Sequence, residues 1–305
     1  MAIVLDNITY TYGMGTPFEK TALRGVSLTI ENGEFLGVIG HTGSGKSTFV
    51  QHLNGLLHPT TGTVTVNGVD ISASTEEAKK MRHKVGMVFQ YPEHQLFEET
   101  IAQDIAFGPK NLGLSADDVD ERVRDAMKFV GLDYDTYAER SPFHLSGGQM
   151  RRVAIAGVVA MNPDFLVLDE PSAGLDPFGR EEIFEEIIRL HKEKGITVIL
   201  VSHNMEDISR MASRLVVLDK GRVVLDGEPM DIFLVVLDKG RVVLDGEPMD
   251  IFNNHRDELQ AVGVDVPPVS VTMEYLREQG LDVSNRVLSV DDAVQAILEG
   301  GSHVK

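Results

Sequence analysis

The sequence predicts an α/β fold built on a mostly parallel β-sheet with helices on both faces. Short apolar runs at Phe35–Ile39, Phe165–Leu168 and Thr197–Val201 are typical of buried strands. Helical segments alternate with them, from Ser47 to about Leu57 and from about Arg180 to Lys194, the second ending before a glycine. Strands that alternate with helices form parallel sheets whose two faces are both covered.

The stretches around this alternation predict two further parts of the same domain. The N-terminal segments Ile3–Leu5 and Val26–Ile30 are bounded by Gly and Asn turns, which indicates an antiparallel β subdomain. Thr63–Val66 and Val85–Phe89 are additional strand candidates. Apolar residues with helical spacing over Ile101–Val130, with Ser115 as an N-cap, predict a helical subdomain over about 95–160.

The remainder of the chain predicts a small C-terminal module. We place the main domain at 1–252 and the module at 253–305, and a Pro267-Pro268 pair interrupts the chain within this module. Val271–Gln279 and Val290–Glu299 are short helix candidates, the second with Ser289 as its cap.

Composition limits the classes of function. The chain has 305 residues and no cysteine, which excludes disulfides and cysteine-ligated zinc. Its formal net charge of −19 repels nucleic acid, so we expect no nucleic-acid partner. The sequence contains no apolar run long enough to span a membrane and no secretory signal pattern, which predicts a cytosolic protein.

A tandem repeat interrupts the C-terminal half. Leu215–Phe233, the first copy, and Leu234–Phe252, the second copy, have identical 19-residue sequences. Solenoid repeats diverge and need at least three units to bury a shared core, so this pair indicates a recent in-frame duplication or an error of sequence assembly. Each copy predicts a strand, an Asp-Lys-Gly turn and a second strand, and we expect only one copy to occupy the strand positions of the fold.

A glycine-rich loop between a predicted strand and a predicted helix indicates a phosphate site. The pattern GxxxxGKS allows backbone N–H groups to converge on phosphate oxygens, a lysine to reach the β- and γ-phosphates, and a serine hydroxyl to bind Mg²⁺. The start of the helix adds the positive end of its dipole. The residues concerned are Gly40, His41, Thr42, Gly43, Ser44, Gly45, Lys46, Ser47 and Thr48.

Two acidic residues follow the apolar strand Phe165–Leu168. Asp169 at the carboxyl end of this strand is placed to hold the Mg²⁺ ion through its water ligands. Glu170, the next residue, is placed to polarise the water that attacks the γ-phosphate.

A second anion-binding element precedes this strand. Ser146, Gly147 and Gly148 lie at the start of a predicted helix that runs from Gln149 to about Val159, so their N–H groups form another cradle for negative charge. One chain has no use for two cradles on a single γ-phosphate.

The phosphate loop, Leu145–Gln149 and Phe165–Glu170, in this order, resemble the ATP-binding-cassette (ABC) ATPases, which have the P-loop NTPase fold. The resemblance implies MgATP hydrolysis in a head-to-tail dimer with a second ABC ATPase subunit, with the signature Ser146–Gln149 and Asp176 directed to the partner's nucleotide. It implies that Gln90 touches Mg²⁺ and water, that His203 contacts the γ-phosphate, and that Lys46 and Glu170 complete the catalytic set. Tyr12 matches the aromatic that stacks on adenine, with Tyr10 as the alternative.

Phe89–Phe97 and Asp104–Gly113 resemble the ATPases of energy-coupling-factor (ECF) transporters, which import vitamins and nickel or cobalt ions. His41-Thr42 and Met150–Arg152 further resemble the second ATPase type of those complexes. This implies a transmembrane coupling protein and a substrate-binding membrane subunit as partners, and a peripheral position at the cytoplasmic face of the membrane. The alternatives are the ATPase of a binding-protein-dependent importer and a soluble ABC protein acting on ribosomes or DNA. We expect Tyr91, Leu96 and Phe97 to form a contact surface for the coupling protein, the alternative being a buried structural role.

Overall fold

The computed structural model describes residues 1–202, 205–227, 234–238, 241–246, 268–281, 283–284, 287 and 290–301. The chain divides into a larger unit, 1–203 with 216–224, and a smaller unit, 204–215 with 225–305. The predicted boundary between 252 and 253 lies outside the described residues and stays a prediction. Among the described residues, no helix is long and apolar enough to cross a bilayer.

The described strands and helices follow the predicted alternation of the two types of element. The strands are β1 (Ala2–Tyr12), β2 (Lys20–Glu31), β3 (Phe35–Ile39), β4 (Thr61–Val66), β5 (Val69–Asp70), β6 (Val85–Val88), β7 (Phe165–Asp169), β8 (Thr197–Val201), β9 (Arg214–Asp219), β10 (Arg222–Gly227), β11 (Leu234–Asp238) and β12 (Arg241–Gly246). The helices are α1 (Lys46–Leu53), α2 (Glu76–His83), α3 (Ile101–Asn111), α4 (Ala116–Phe129), α5 (Tyr134–Tyr137), α6 (Gly147–Val159), α7 (Pro177–Lys194), α8 (Met205–Met211), α9 (Pro268–Glu278) and α10 (Val290–Gly301).

A four-stranded antiparallel sheet forms the N-terminal β subdomain. Its strand order is β2-β1-β4-β5, and Ile3 of β1 pairs with Ile30 on one side and Val66 on the other. These three side chains are fully buried. The N-terminal strands are longer than predicted, because the register shift between Leu5 and Ile8 lets β1 continue past its first apolar run.

A six-stranded sheet forms the centre of the α/β core. Its order is β10-β9-β3-β8-β7-β6, and the pairs β3–β8, β8–β7 and β7–β6 are parallel. Every residue of β7 and β8 is buried, as expected for strands covered on both faces. The carboxyl ends of β3, β7 and β6 lie at one edge of the sheet. The chain segments that follow these strands can therefore meet in one site.

The helix ends follow from capping. Asp176 accepts a hydrogen bond from the Gly179 N–H, and Pro177 occupies the first helical position, so α7 begins three residues before the predicted Arg180. It ends at Gly195, in the left-handed conformation, as predicted. The helix α1 ends at Leu53 rather than Leu57, with a glycine at φ 73° two residues later.

The helical subdomain is confirmed, with α3, α4, α5 and α6 inside the predicted 95–160 range. Ser115 caps α4, as predicted, by accepting a hydrogen bond from the Asp118 N–H. The helix α6 starts at Gly147, two residues earlier than predicted. A reciprocal capping box between Ser146 and Gln149 supports this start.

The two copies of the repeat form the same local structure in different sheets. In the first copy, β9 and β10 belong to the six-stranded sheet, where β9 lies beside β3. In the second copy, β11 and β12 form a two-stranded antiparallel sheet of their own. Only the first copy therefore occupies strand positions of the α/β core in the described part of the chain.

In the C-terminal region, α9 and α10 lie within one to three residues of the predicted helices. Both contribute to a small apolar cluster made of Met273, Val283, Val287 and Ala293. The predicted cap Ser289 lies outside the described residues.

Candidate nucleotide-binding site

A cavity of about 1170 Å³ opens at the carboxyl edge of the central sheet. The phosphate loop after β3, Gln90 after β6 and the acidic pair at the end of β7 all line it. The predicted residues in its wall are Tyr12, Gly40, His41, Thr42, Gly43, Gly45, Lys46, Ser47, Thr48, Gln90, Asp169 and Glu170. Residues from three separate motifs of the sequence thus meet in one cavity.

Close backbone packing explains two glycines of the phosphate loop. Gly40 has φ 153°, and a Cβ there would lie 2.2 Å from the Leu218 carbonyl oxygen and 2.6 Å from Ser44 Oγ. Gly45 has φ 110°, and a Cβ there would lie 2.8 Å from the Ala22 carbonyl oxygen. Both positions therefore exclude larger residues. Ser44 differs from the other predicted residues of the loop, because its side chain is buried and it does not line the cavity.

Lys46 begins α1 and its ammonium group lies against the loop. It donates hydrogen bonds to the carbonyl oxygens of Gly40 and His41, the latter at 3.2 Å. The flexible stem of a lysine allows the ammonium group to leave such neutral acceptors for a charged one. The geometry therefore supplies a mobile positive charge at the centre of the cavity.

Asp169 and Ser47 form a polar pair at the floor of the cavity. Asp169 is 8% exposed and accepts a hydrogen bond from the Ser47 hydroxyl. Burial raises the pKa of Asp169, and the neighbouring charge of Glu170 raises it further, while Ser47 and Lys46 act in the opposite direction. Positive charge stabilises a buried carboxylate that lies beside a second carboxylate. The oxygens of Asp169 and Ser47 therefore fit a cation.

Glu170 and Gln90 face the same cavity from neighbouring strands. Glu170 has φ 53°, an unusual conformation for a residue with a side chain, and its N–H donates to the Val201 carbonyl oxygen at 3.0 Å. Gln90 is exposed at the end of β6. Both side chains have access to a ligand in the cavity.

The two candidate tyrosines occupy different environments. Tyr12 is 40% exposed, lines the cavity and makes a 3.1 Å hydrogen bond with the Thr48 hydroxyl. Tyr10 packs against the apolar core, with its ring 4.9 Å from that of His52. Because stacking needs an accessible ring face, this geometry favours Tyr12 over Tyr10 for the adenine.

Basic residues surround the cavity in spite of the acidic chain. Five of them line it: Lys20, Arg24, Lys46, Lys220 and Arg222. The acidic lining residues are Asp169, Glu170 and Asp219. The local surplus of positive charge draws an anionic ligand to a protein whose net charge is −19.

Sequence reasoning missed the contribution of the first copy to this site. Asp219 lies 2.8 Å from His41 Nε2, and Gly221 donates a hydrogen bond of 2.8 Å to the Ser44 carbonyl oxygen. Lys220 and Arg222 add charge to the wall. Charged residues around an Asp-Lys-Gly turn could have indicated a contribution to an anion site. The same residues occur in both copies, so the sequence does not distinguish the copy that lies at the site.

The signature residues lie apart from the described lining of this cavity. Ser146 and Gly147 are exposed, and a Cβ on Gly147 or Gly148 would meet nothing within 4 Å. The N-terminus of α6 is thus open to a ligand from outside the chain. Gln149 and Asp176 serve as helix-capping residues in this structure. The role of these residues at a partner's nucleotide stays a prediction, and His203 lies outside the described residues.

The predicted contact surface needs one correction. Tyr91 is 42% exposed and Phe97 is 57% exposed, and Phe97 packs edge-on against the half-exposed ring of Phe107 at 4.9 Å. Leu96 is only 8% exposed, so its expected place on the surface is wrong. It directly follows the 3₁₀ turn Pro92–Gln95, and its burial agrees with the alternative of a structural role.

The fold and this site define an ABC-type ATPase cassette, and the family model described as "ABC transporter" matches residues 23–173. A solved structure described as cbiO1 from Clostridium perfringens, part of the ABC transporter complex cbiONQ, superposes with a TM-score of 0.67 at 38% identity, covering 75% of this chain and 89% of that one. A dimeric cassette, MJ0796, described as a post-hydrolysis state bound to ADP and Pi, gives 0.66 at 31% identity, covering 75% and 100%.

Curated relatives identify the family more narrowly. The energy-coupling factor transporter ATP-binding protein EcfA2 of Clostridium tetani is 50% identical, covering 98% of this chain and 97% of the relative. The EcfA2 protein of Clostridium perfringens is 49% identical, covering 98% of both chains. The chain belongs to this family of energy-coupling factor transporter ATP-binding proteins.

Proposed function

We propose that the chain is the ATP-binding and ATP-hydrolysing subunit of an ECF-type importer of vitamins or transition-metal ions. One observation carries the enzymatic part: a single cavity combines a phosphate loop, an acidic pair and Gln90, which follow three parallel strands of one sheet. The relatives named as ECF transporter ATP-binding proteins support the transport part.

The phosphate tail of ATP lies on the loop at the start of α1. Backbone N–H groups of Gly43–Ser47 and the helix dipole bind its oxygens, and Lys46 moves from its carbonyl partners to the β- and γ-phosphates. Tyr12 stacks on the adenine. The basic residues of the wall offset the charge of the tail.

The residues present fit a Mg²⁺ ion. Ser47 offers a hydroxyl, Asp169 a buried carboxylate that already contacts Ser47, and Gln90 an amide oxygen. Mg²⁺ keeps several water ligands and is usually bound through one or two carboxylates together with the phosphates of a substrate, so these few side chains are enough. When bound, Mg²⁺ neutralises charge on the β- and γ-phosphates.

Glu170 accepts a proton from the attacking water. It borders the cavity directly after the Mg²⁺-binding Asp169, so it can orient a water toward the γ-phosphate. Gln90 orients the same water, and His203 contacts the γ-phosphate. The last assignment rests on the sequence pattern alone.

The open N-terminus of α6 supports a dimer as the active form. Gly147 and Gly148 have free space around them, whereas the phosphate loop of the same chain already has its own cradle. In the dimer, Ser146–Gln149 of each chain cap the nucleotide of a second ABC ATPase subunit, with Asp176 nearby. ATP closes the dimer and hydrolysis reopens it.

The exposed aromatic side chains of Tyr91 and Phe97 support a contact with the membrane-embedded coupling protein. They lie beside Gln90, so a helix of a transmembrane coupling protein that docks there is moved when the dimer closes. A substrate-binding membrane subunit completes the importer. The chain then works as a peripheral protein at the cytoplasmic face of the membrane.

Glu170→Gln tests the enzymatic part. The change keeps the size of the side chain but removes the proton acceptor, so we expect ATP binding to survive and turnover to fall by roughly 10² or more. Single-turnover hydrolysis and size-exclusion chromatography with ATP measure the rate and the trapped dimer. Glu185→Gln, at an exposed position of α7, is the matched control. Hydrolysis by Glu170→Gln at the wild-type rate would refute the role of Glu170.

A further inference from the structure

Arg151 in α6 is the largest side chain that is fully buried, with 1% of its surface exposed. A guanidinium group carries a charge at every physiological pH and donates five hydrogen bonds in a planar fork. Burying it is unfavourable unless acceptors surround it. Its partners therefore indicate what the burial achieves.

One partner is a carboxylate close to Gln90. Arg151 donates from Nε and Nη2 to the two carboxylate oxygens of Glu93, at 3.0 and 2.8 Å. Glu93 belongs to the 3₁₀ turn Pro92–Gln95, three residues after Gln90. Burial by itself would raise the pKa of Glu93, but the hydrogen bonds and charge of Arg151 hold that pKa below its usual range.

The other partners belong to the turn that begins at Glu170. Arg151 donates to the carbonyl oxygens of Pro171 and Ala173, both at 2.9 Å. Ala173 in turn donates its N–H to the Glu170 carbonyl oxygen at 3.1 Å. Arg151 thus holds both ends of the short turn that follows the proposed catalytic carboxylate.

The backbone conformation of Glu170 requires support from its surroundings, and Arg151 contacts the turn that follows it. The Glu170 φ of 53° lies in the left-handed region, which a residue with a side chain keeps only where the surroundings enforce it. Tyr91, two residues before Glu93 at the start of its 3₁₀ turn, also has a left-handed φ of 57°. One guanidinium group therefore joins two strained segments to the signature helix.

We propose that Arg151 is a positioning residue for ATP hydrolysis, which holds the Glu170 turn in line with the segment after Gln90. This inference rests on the proposed function and deepens it. The Arg151–Glu93 fork transmits the position of the segment that contacts the membrane partner to the carboxylate that orients water. A shift of that carboxylate slows the chemical step and leaves ATP binding to the loop intact.

Two variants test the fork. Arg151→Lys keeps the charge but cannot reach Glu93 and both carbonyl oxygens at once. Glu93→Gln keeps the Arg151 bonds to Pro171 and Ala173 and removes the bidentate pair. For both, we expect kcat to fall roughly 10- to 100-fold while KM for ATP stays within about twofold, because misplacement of a reacting group acts on turnover.

A second Arg–carboxylate fork provides the control. Arg214 donates from Nε and Nη2 to the carboxylate of Asp226 at 2.6 and 2.8 Å, and neither residue lines the cavity. Asp226→Asn removes this fork and should leave kcat and KM unchanged. Thermal denaturation of all three variants separates loss of stability from loss of turnover.

Wild-type kcat in folded Glu93→Gln overturns the inference, and so does a parallel change of kcat and KM. If Arg151→Lys does not fold, Glu93→Gln alone decides, and a failure of both to fold assigns the fork a structural role and overturns the inference. The proposed function fails separately, by an inactive wild-type chain or an active Glu170→Gln.

Discussion

The first and second copies of the repeat have the same 19 residues, yet among the residues that the structure describes only those of the first copy line the candidate site. Both copies form two strands in the described residues. The strands of the first copy lie in the six-stranded sheet and those of the second form a separate pair. The sequence of a segment thus set its local structure, and its neighbours in space set its role.

The contacts of the first copy explain why it matters. The Leu218 carbonyl oxygen fills the space beside Gly40, and Gly221 donates to Ser44 in the phosphate loop. The Gly221 carbonyl oxygen accepts a hydrogen bond from the Arg24 N–H at 2.7 Å, which ties the same turn to β2. The first copy therefore supports the loop from one side.

The largest expected difference between the copies concerns the core. Leu218 is 1% exposed in the central apolar cluster, and Leu237 has the same place in the second copy. Leu218→Asp buries a charge, so we expect a loss of roughly 3 kcal/mol or more in the free energy of unfolding. Leu237→Asp should cost less than about 1 kcal/mol. Urea denaturation measures both.

Equal losses in the two variants would contradict the comparison. A small loss in Leu218→Asp alone would mean that the second copy had replaced the first in the sheet. Hydrogen exchange at the backbone amides of the two copies would then show which copy lies in the six-stranded sheet.

A smaller difference is expected at the phosphate loop. Asp219→Asn removes the negative charge opposite His41. Both side chains are substantially exposed, so the charge contributes weakly to the order of the loop. We expect KM for ATP to rise by roughly two- to fivefold, equivalent to about 0.5–1 kcal/mol. Asp238→Asn, the matched change in the second copy, should leave KM unchanged. An increase in Asp238→Asn as large as that in Asp219→Asn would place both copies at the site.

The smallest effect is expected from removing a copy altogether. Deleting either one gives the same chain of 305 − 19 = 286 residues. Since one copy is enough for the strand positions of the core, we expect ATPase activity to stay within about twofold of the full chain. Intact mass of the purified protein shows whether both copies are present, and a 286-residue chain that does not fold would show that neither copy is surplus.

Much of the fold followed from local rules. Apolar runs gave the buried strands, Ser115 gave a helix start, and Gly195 gave a helix end, because each of these signals acts within a few residues. Leu96 was misplaced since an apolar residue next to exposed aromatics has the same local pattern whether it faces inward or outward.

The candidate site divides in the same way. The sequence by itself determined the phosphate loop, the acidic pair after β7 and the signature, because each needs particular residue types at a short spacing. Only the tertiary structure decided that Asp219 reaches His41, that Arg151 joins Glu93 to the Glu170 turn, and which copy enters the sheet. These contacts join residues between 20 and 178 positions apart, so they depend on how the whole chain folds and not on local spacing.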